Sequence, residues 1–200
     1  MLSADERAHA AEMRSSAARQ RYMAGRIALR EVLSSELGVP PADVELVVSP
    51  DGGLALPRYP DLHLSLSHTE ALVGAALSRG AKVGVDVEVL SGRQRPVPAR
   101  ALDVAKLAAV AAFAPRELAP LAVWVAQEAA LKADGIGLGF PLEQVTLTPD
   151  ATGVVVHLAG RGEWGVAFQA FLGGIAAVAS RGSPPNVVWH REVARWLAPI

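Results

Sequence analysis

The sequence contains no cysteine, which excludes a disulfide framework, thiolate catalysis and any cysteine-ligated zinc centre. It also lacks a surplus of positive charge: 19 lysines and arginines stand against 20 aspartates and glutamates, a formal net charge of −1. A nucleic-acid-binding face normally shows as a basic excess, so no nucleic-acid partner is expected. No apolar run reaches about 18 residues without a charge, a proline or a turn signal, so no membrane span is predicted. The first ten residues, MLSADERAHA, carry acidic groups where a secretory signal would have its apolar core, and a cytoplasmic location is the default expectation. What remains is an ordinary globular balance, 51% hydrophobic and 20% charged over 200 residues. That length suffices for one domain or two small ones around a real core.

Residues 3–36 read as a helix, with Ser3 as its N-cap before Asp5 and Glu6. Gly38 and Pro40 end it. Strands are expected near 43–49, 62–67, 71–78 and 82–88, punctuated by the PDGG and SRG turns. The loop SGRQRPVPAR leads to helices near 101–113 and 118–134. Strand-like runs follow at 143–148, 153–158, 164–171 and 174–180, then a short strand at 187–189 and a helix at 190–197. The order is helix then strands, twice over, and HLSLSHTEALVGAALSRG and WGVAFQAFLGGIAAVASRG end alike. This predicts an α+β fold of two pseudo-repeated halves, 1–95 and 96–200, each a helix packed on a small antiparallel sheet. A pseudo-twofold arrangement would make the interface between the halves the natural cleft.

Several charged residues stand where a plain core would not put them. In KVGVDVE, residues 82–88, Asp86 and Glu88 lie two apart on a strand and so share a face, about 7 Å apart along the chain. A solvated edge strand would account for that. So would a site for a hard cation, since Mg²⁺ takes carboxylate and phosphate oxygens. In the helix PLAVWVAQEAALKADG, Glu128 and Lys132 fall within the arc of Leu118, Leu121, Trp124, Val125 and Leu131 rather than on the alanine side. An i,i+4 ion pair explains their spacing, but a solvated pair would sit more naturally among the alanines. Adding Glu128 to Asp86 and Glu88 gives three carboxylates that would require a cation. His68, at the end of the alternating strand LSLSHTE, is either a surface-turn histidine or a group at a cleft mouth. Ser67-His68 lacks the G-x-S-x-G elbow of a hydrolase. GIGLG after Lys132 follows a helix, so it is no P-loop, and Gly135 is expected to cap that helix in the left-handed conformation.

Taken in order, these stretches resemble the 4′-phosphopantetheinyl transferases, specifically the surfactin-synthetase-activating type with two fused pseudo-repeats. The family's S-H-S turn corresponds to Ser67-His68-Thr69, and its G-[IV]-D-[IV]-E to Gly84-Val85-Asp86-Val87-Glu88. Its W-x-x-K-E-A-x-x-K corresponds to the run from Trp124 through Glu128 to Lys132. Arg21, Gly25 and Arg30 match the first helix, and FAPRE at 113–117 is similar to the family's F-[SA]-x-x-E. The resemblance spans nearly the whole chain. It implies Mg²⁺-dependent transfer of the phosphopantetheine arm of coenzyme A to a serine of an apo acyl or peptidyl carrier protein, leaving adenosine 3′,5′-bisphosphate. By the same resemblance Asp86, Glu88 and Glu128 bind the metal, and Glu128 or a metal-bound water takes the serine proton. Lys132 stabilises the leaving bisphosphate, while Arg21, Ser67 and His68 join it in binding coenzyme A. A monomer is expected.

The chain departs from the pattern in several places. The lysine before the family glutamate is Gln127, expected to lie at the rim of the cleft. The family's G-K-P is Gly53-Leu54-Ala55, which leaves Arg58 as the nearby cation. Six residues separate Glu117 from Trp124, where the family has a longer stretch. These departures keep open a second expectation, a degenerate homologue that binds carrier or coenzyme A without turnover.

Overall fold

The computed structural model describes residues 1–49, 53–70, 72–90 and 96–189. Two helices open the chain, α1 (Ala4–Glu12) and α2 (Ser16–Leu37). The single helix expected over 3–36 is therefore broken. Met13 is extended, and Ser15 starts a second helix by accepting the Ala18 N–H. Ser3 is the predicted cap, completed by a reciprocal bond from its own N–H to Glu6. Gly38, at φ 66°, closes α2 in the left-handed conformation, which glycine adopts without steric cost.

One buried ion pair holds α1 down. Arg30, 1% exposed, donates to Glu6 Oε2 at 2.6 Å and to the carbonyls of Pro41 and Val44. A buried guanidinium must have its donors satisfied. Here the partners are the first helix and the turn after the second.

Strands follow at β1 (Val47–Val48) and β2 (Leu54–Ala55), which pair with each other. The strand expected over 43–49 is thus short, because Pro41–Asp43 forms a 3-10 turn. Next come β3 (Leu62–His68) and β4 (Val73–Arg79), an antiparallel pair. Leu29 and Leu33 of α2 pack with Val44, Leu56 and Leu62, and with one face of this hairpin through Leu64, Leu66, Ala75 and Leu77.

The strand β5 (Val83–Val89) joins a different sheet. It pairs with β9 (Gly174–Arg181), which is followed outward by β8 (Gly162–Phe171), β7 (Val154–Leu158) and β6 (Val145–Pro149). All neighbours in this five-stranded sheet are antiparallel. Between β5 and β6 the chain forms α3 (Val104–Val110) and α4 (Ala119–Asp134). The helices expected at 101–113 and 118–134 are these two, with 3-10 turns at their starts. No strand forms at 187–189, and the helix expected at 190–197 lies outside the described residues. The fold is α+β, with β5 carrying the joint between the leading hairpin and the larger sheet.

The two faces of β5 are covered differently, as its alternation requires. Val83 and Val85 pack with Ala76 of β4 and Val178 of β9. The opposite face, bearing Gly84, Asp86 and Glu88, turns to α4. A Cβ at Gly84 would fall 2.6 Å from the Ala133 nitrogen and closer still to the Ala129 carbonyl oxygen. Glycine is what lets α4 lie directly on the strand. The alanine side of α4, expected to be the more solvated, is in fact buried: Ala122, Ala126, Ala129 and Ala130 are fully enclosed. They are small because the helix presses onto the sheet, where Val145, Val156, Val166, Ile175 and Ala177 complete the main core. Gly135, at φ 89°, ends α4 as the sequence predicts.

Candidate active site

Four elements meet where α4 crosses β5. Asp86 and Glu88 come from β5, Glu128 and Lys132 from α4, Ser67 and His68 from the end of β3, and Arg21 from the first turns of α2. Asp86 and Glu128 are buried, at 5% and 8% exposure. Lys132 Nζ donates to Asp86 Oδ1 at 2.7 Å and to the Val85 carbonyl at 3.1 Å. The spacing of Glu128 and Lys132 suggested an ion pair within the helix, but Lys132 pairs across to the strand. Ser67 Oγ donates to the same Asp86 oxygen at 2.7 Å. Two donors therefore converge on Oδ1.

The remaining oxygens are unusual. Asp86 Oδ2 and Glu128 Oε1 are both buried, and neither has a hydrogen-bond partner among the described residues. A buried carboxylate oxygen left this way carries its full desolvation penalty. Two of them beside one cleft form an all-oxygen donor set suited to Mg²⁺, which takes one or two carboxylates and leaves its other positions to water and phosphate. Among the described residues no three histidine, aspartate or glutamate side chains are gathered closely enough to hold an ion by themselves. Protein ligands and substrate oxygens together would have to complete the coordination.

The electrostatics agree with that picture. Burial raises the Glu128 carboxyl from its ordinary 4.5 to about 7; the Asp86 charge adds to the effect, Lys132 opposes it and Glu88 contributes a smaller push. The histidine is displaced in the opposite sense. Burial holds the His68 imidazolium below its usual range, with the Arg21 and Lys132 cations assisting and Asp86 opposing. Arg21, Lys132 and His68 thus share one neighbourhood that favours negative charge from a ligand.

A testable consequence concerns stability. Glu128 has its folded-state value raised, so the folded chain holds a proton that the unfolded chain has already released. Its contribution is fully present below about pH 4.5 and is lost as pH rises through about 7. Thermal melts of the metal-free protein across this window should show a declining Tm that Glu128→Gln flattens. Added Mg²⁺ should restore stability at the alkaline end, where the ionised carboxylate is available to bind it. Identical slopes for wild type and Glu128→Gln would show that this carboxyl does not titrate there.

Gln127 is not where the sequence suggested. It is fully buried, not at a cleft rim, and its amide donates to the carbonyls of Ala101 and Val123. Its Oε1 lies 3.5 Å from the ammonium of Lys106, itself 3% exposed and bonded to the Leu142 carbonyl. Helical position alone could not reveal this, because α3 closes over that side of α4 only in the tertiary fold. Gln127→Lys would place two ammonium groups together in the core. The expected cost is about 2–3 kcal/mol or more, read by urea denaturation. Adding Lys106→Gln to that variant should recover most of the loss.

Two further departures also lie away from the cleft. Leu54 packs beside the first core in β2, and Arg58 pairs with Glu45 on the surface at 2.9 Å. Sequence reasoning missed Ser65, whose buried Oγ accepts the Val85 N–H at 2.9 Å. The alternation of LSLSH placed Ser65 and Ser67 on one face, but not against β5.

Comparison with known proteins bears on this site. Residues 82–172 match the model of the 4′-phosphopantetheinyl transferase superfamily; the stretch begins beside β5, carries all of α4 and reaches the end of β8. The chain is 33% identical over 165 residues to the 4′-phosphopantetheinyl transferase HetI of Nostoc sp., covering 74% of this chain and 66% of that protein. It is 30% identical over 162 residues to the protein slr0495 of Synechocystis sp., covering 72% and 61% respectively. The chain therefore spans a little under two thirds of the length of these curated relatives.

Proposed function

We infer that this chain belongs to the 4′-phosphopantetheinyl transferase superfamily, whose model matches residues 82–172, and moves the phosphopantetheine arm of coenzyme A onto a serine of an apo acyl or peptidyl carrier protein. The observation that carries the reading is the pair of buried oxygens, Asp86 Oδ2 and Glu128 Oε1, that have no partner among the described residues and lie near the Lys132 cation, with Arg21 acting on the neighbouring His68. The finer assignment to the surfactin-synthetase-activating type rests on the ordered motifs along nearly the whole chain. In this reading the halves 1–95 and 96–200 form the coenzyme A cleft between them. Asp86 comes from one and Glu128 from the other, so a monomer suffices. Among the described residues no helix is long and apolar enough to cross a membrane, which is compatible with action in the cytoplasm.

The chemistry follows from the groups present. Asp86, Glu128 and Glu88 would hold Mg²⁺, which when bound neutralises the pyrophosphate of coenzyme A. Arg21 and His68 bind the adenosine-side phosphates through charge-assisted hydrogen bonds. Burial first, and then the Arg21 and Lys132 charges, disfavour the His68 imidazolium, and an arriving phosphate offsets those charges and favours its protonation. The carrier serine oxygen then bonds to the phosphorus bearing the pantetheine arm, and the bridging P–O bond breaks. Adenosine 3′,5′-bisphosphate leaves with the bond's electron pair. Glu128 accepts the serine proton. Lys132 stabilises the charge gathering on the leaving phosphate.

The non-catalytic alternative loses support at Gln127 and Leu54, whose replacements lie in packing rather than beside the cleft. Chromatography of the nucleotide product tests the reading. Adenosine 3′,5′-bisphosphate should appear only when chain, coenzyme A, Mg²⁺ and an apo carrier are all present. Release without a carrier would instead make the chain a phosphohydrolase.

A further inference from the structure

We propose that Ser67 is a positioning residue: it holds Asp86 so that Oδ1 is engaged inside the protein and Oδ2 alone is left for the cation. The inference rests on the metal-dependent reading given above. Resemblance puts Ser67 among the groups that bind coenzyme A, but its surroundings suit a different task. Its exposure is 5%, and its hydroxyl is already committed to Asp86. An ionised carboxylate can only accept, so the proton in that 2.7 Å contact belongs to Ser67. To reach a phosphate, the hydroxyl would have to abandon a buried charged acceptor and leave it less satisfied.

The strand beneath supports this assignment. Ser65 and Ser67 are two apart on β3, both buried, and both meet β5. Ser65 accepts the backbone N–H of Val85, while Ser67 donates to the side chain of the next residue. One contact sets the height of β5 against β3, and the other sets the rotation of the Asp86 carboxylate. Lys132 reaches the same Oδ1 from α4 and also caps the Val85 carbonyl. The carboxylate is thus gripped at one oxygen from two elements, while the other has no partner among the described residues. Groups that orient a metal ligand in this way commonly contribute 10–100-fold to metal affinity.

The test separates this role from a phosphate contact. Mn²⁺ is titrated into the full chain, with and without saturating coenzyme A, and followed by electron paramagnetic resonance. Wild type, Ser67→Ala, Ser67→Thr and Asp86→Asn are compared, with thermal melts on each. Ser67→Ala should weaken Mn²⁺ binding roughly 10–100-fold and leave the KM for coenzyme A at saturating Mg²⁺ unchanged. Ser67→Thr, which keeps the hydroxyl, should recover most of the affinity, and it carries the test if the alanine variant does not fold. A raised KM for coenzyme A with wild-type Mn²⁺ affinity would overturn the proposal and return Ser67 to phosphate binding. Equal losses in the alanine and threonine variants would also overturn it, because the hydroxyl would then not be the agent. If wild type itself binds no Mn²⁺ in either condition, the metal reading of the cleft fails and this inference with it. If wild type binds and Asp86→Asn does not, while Ser67→Ala binds normally, only this inference fails.

Discussion

Asp86→Asn is expected, on the proposed function, to lower the rate of phosphopantetheine transfer by roughly a thousandfold while leaving the fold in place. The asparagine oxygen can still accept from Ser67 and Lys132, whose bonds both converge on Oδ1. Only the partnerless oxygen is replaced, by an amide that carries no charge and donates where the cation requires an acceptor. Loss of one well-placed electrostatic group in a water-poor site typically costs 10²–10³-fold in rate, and here the cation would be loosened as well. Stability should change little, because the lost attraction to Lys132 is offset by relief of the Asp86–Glu128 repulsion. Glu128 should then titrate lower, since the Asp86 charge is the second largest cause of its displacement. Asp86→Ala is a poorer probe, because it would leave the buried Ser67 hydroxyl and the Lys132 ammonium without their shared acceptor. Initial rates at saturating carrier, with thermal melts alongside, make the measurement. Wild-type turnover for Asp86→Asn at limiting Mg²⁺ would show that the ion is held elsewhere.

Gly84→Ala should have the largest effect on stability. The added methyl would meet the Ala129 carbonyl and the Ala133 nitrogen of α4. Both are backbone atoms of a helix enclosed in the main core, so neither can step aside as a flexible side chain could. Overpacking in a core ordinarily costs 1–3 kcal/mol, and a clash of backbone with backbone belongs at or beyond the upper end, about 3 kcal/mol or more. Any folded fraction should also lose transfer, because separating α4 from β5 pulls Lys132 and Glu128 away from Asp86. Gly80→Ala provides the comparison. Gly80 has φ 76° with nothing within 4 Å of an added Cβ, so only the left-handed backbone is penalised, at about 1–2 kcal/mol. Chemical denaturation of both variants should rank them in that order. A Gly84→Ala protein as stable as Gly80→Ala would mean that the helix does not sit on the strand as described.

The sequence revealed most where the physics is local. Alternation in KVGVDVE located a strand whose two faces differ, and the structure gives those faces different neighbours, valines against β4 and β9 and carboxylates toward α4. Gly38 and Gly135 were readable as helix ends because a left-handed cap is a property of one residue. The break at Met13 was missed because Ser15 and Ser16 sit in a polar run where a second cap leaves no mark on the periodicity. The burial of α4 was underestimated for a related reason. Alanine is weakly apolar, and its side of a helix reads as solvated unless a partner surface with a glycine is known to face it. Gln127, Lys106 and the Ser67–Asp86 contact depend on chain segments 21 and 19 residues apart. No spacing rule connects such positions, and only the folded arrangement of α3 on α4 and of β3 on β5 brings them together.

Intact-protein mass spectrometry tests whether the carboxylates that β5 and α4 bring together serve transfer to a carrier protein. The chain is incubated with coenzyme A, Mg²⁺ and a panel of apo acyl and peptidyl carriers. At least one carrier should gain the mass of the phosphopantetheine arm. The gain should vanish when that carrier's acceptor serine is replaced by alanine, and when the chain carries Asp86→Asn. If the chain binds coenzyme A and a carrier, yet every carrier keeps its apo mass, the account of this cleft as a catalytic site is contradicted.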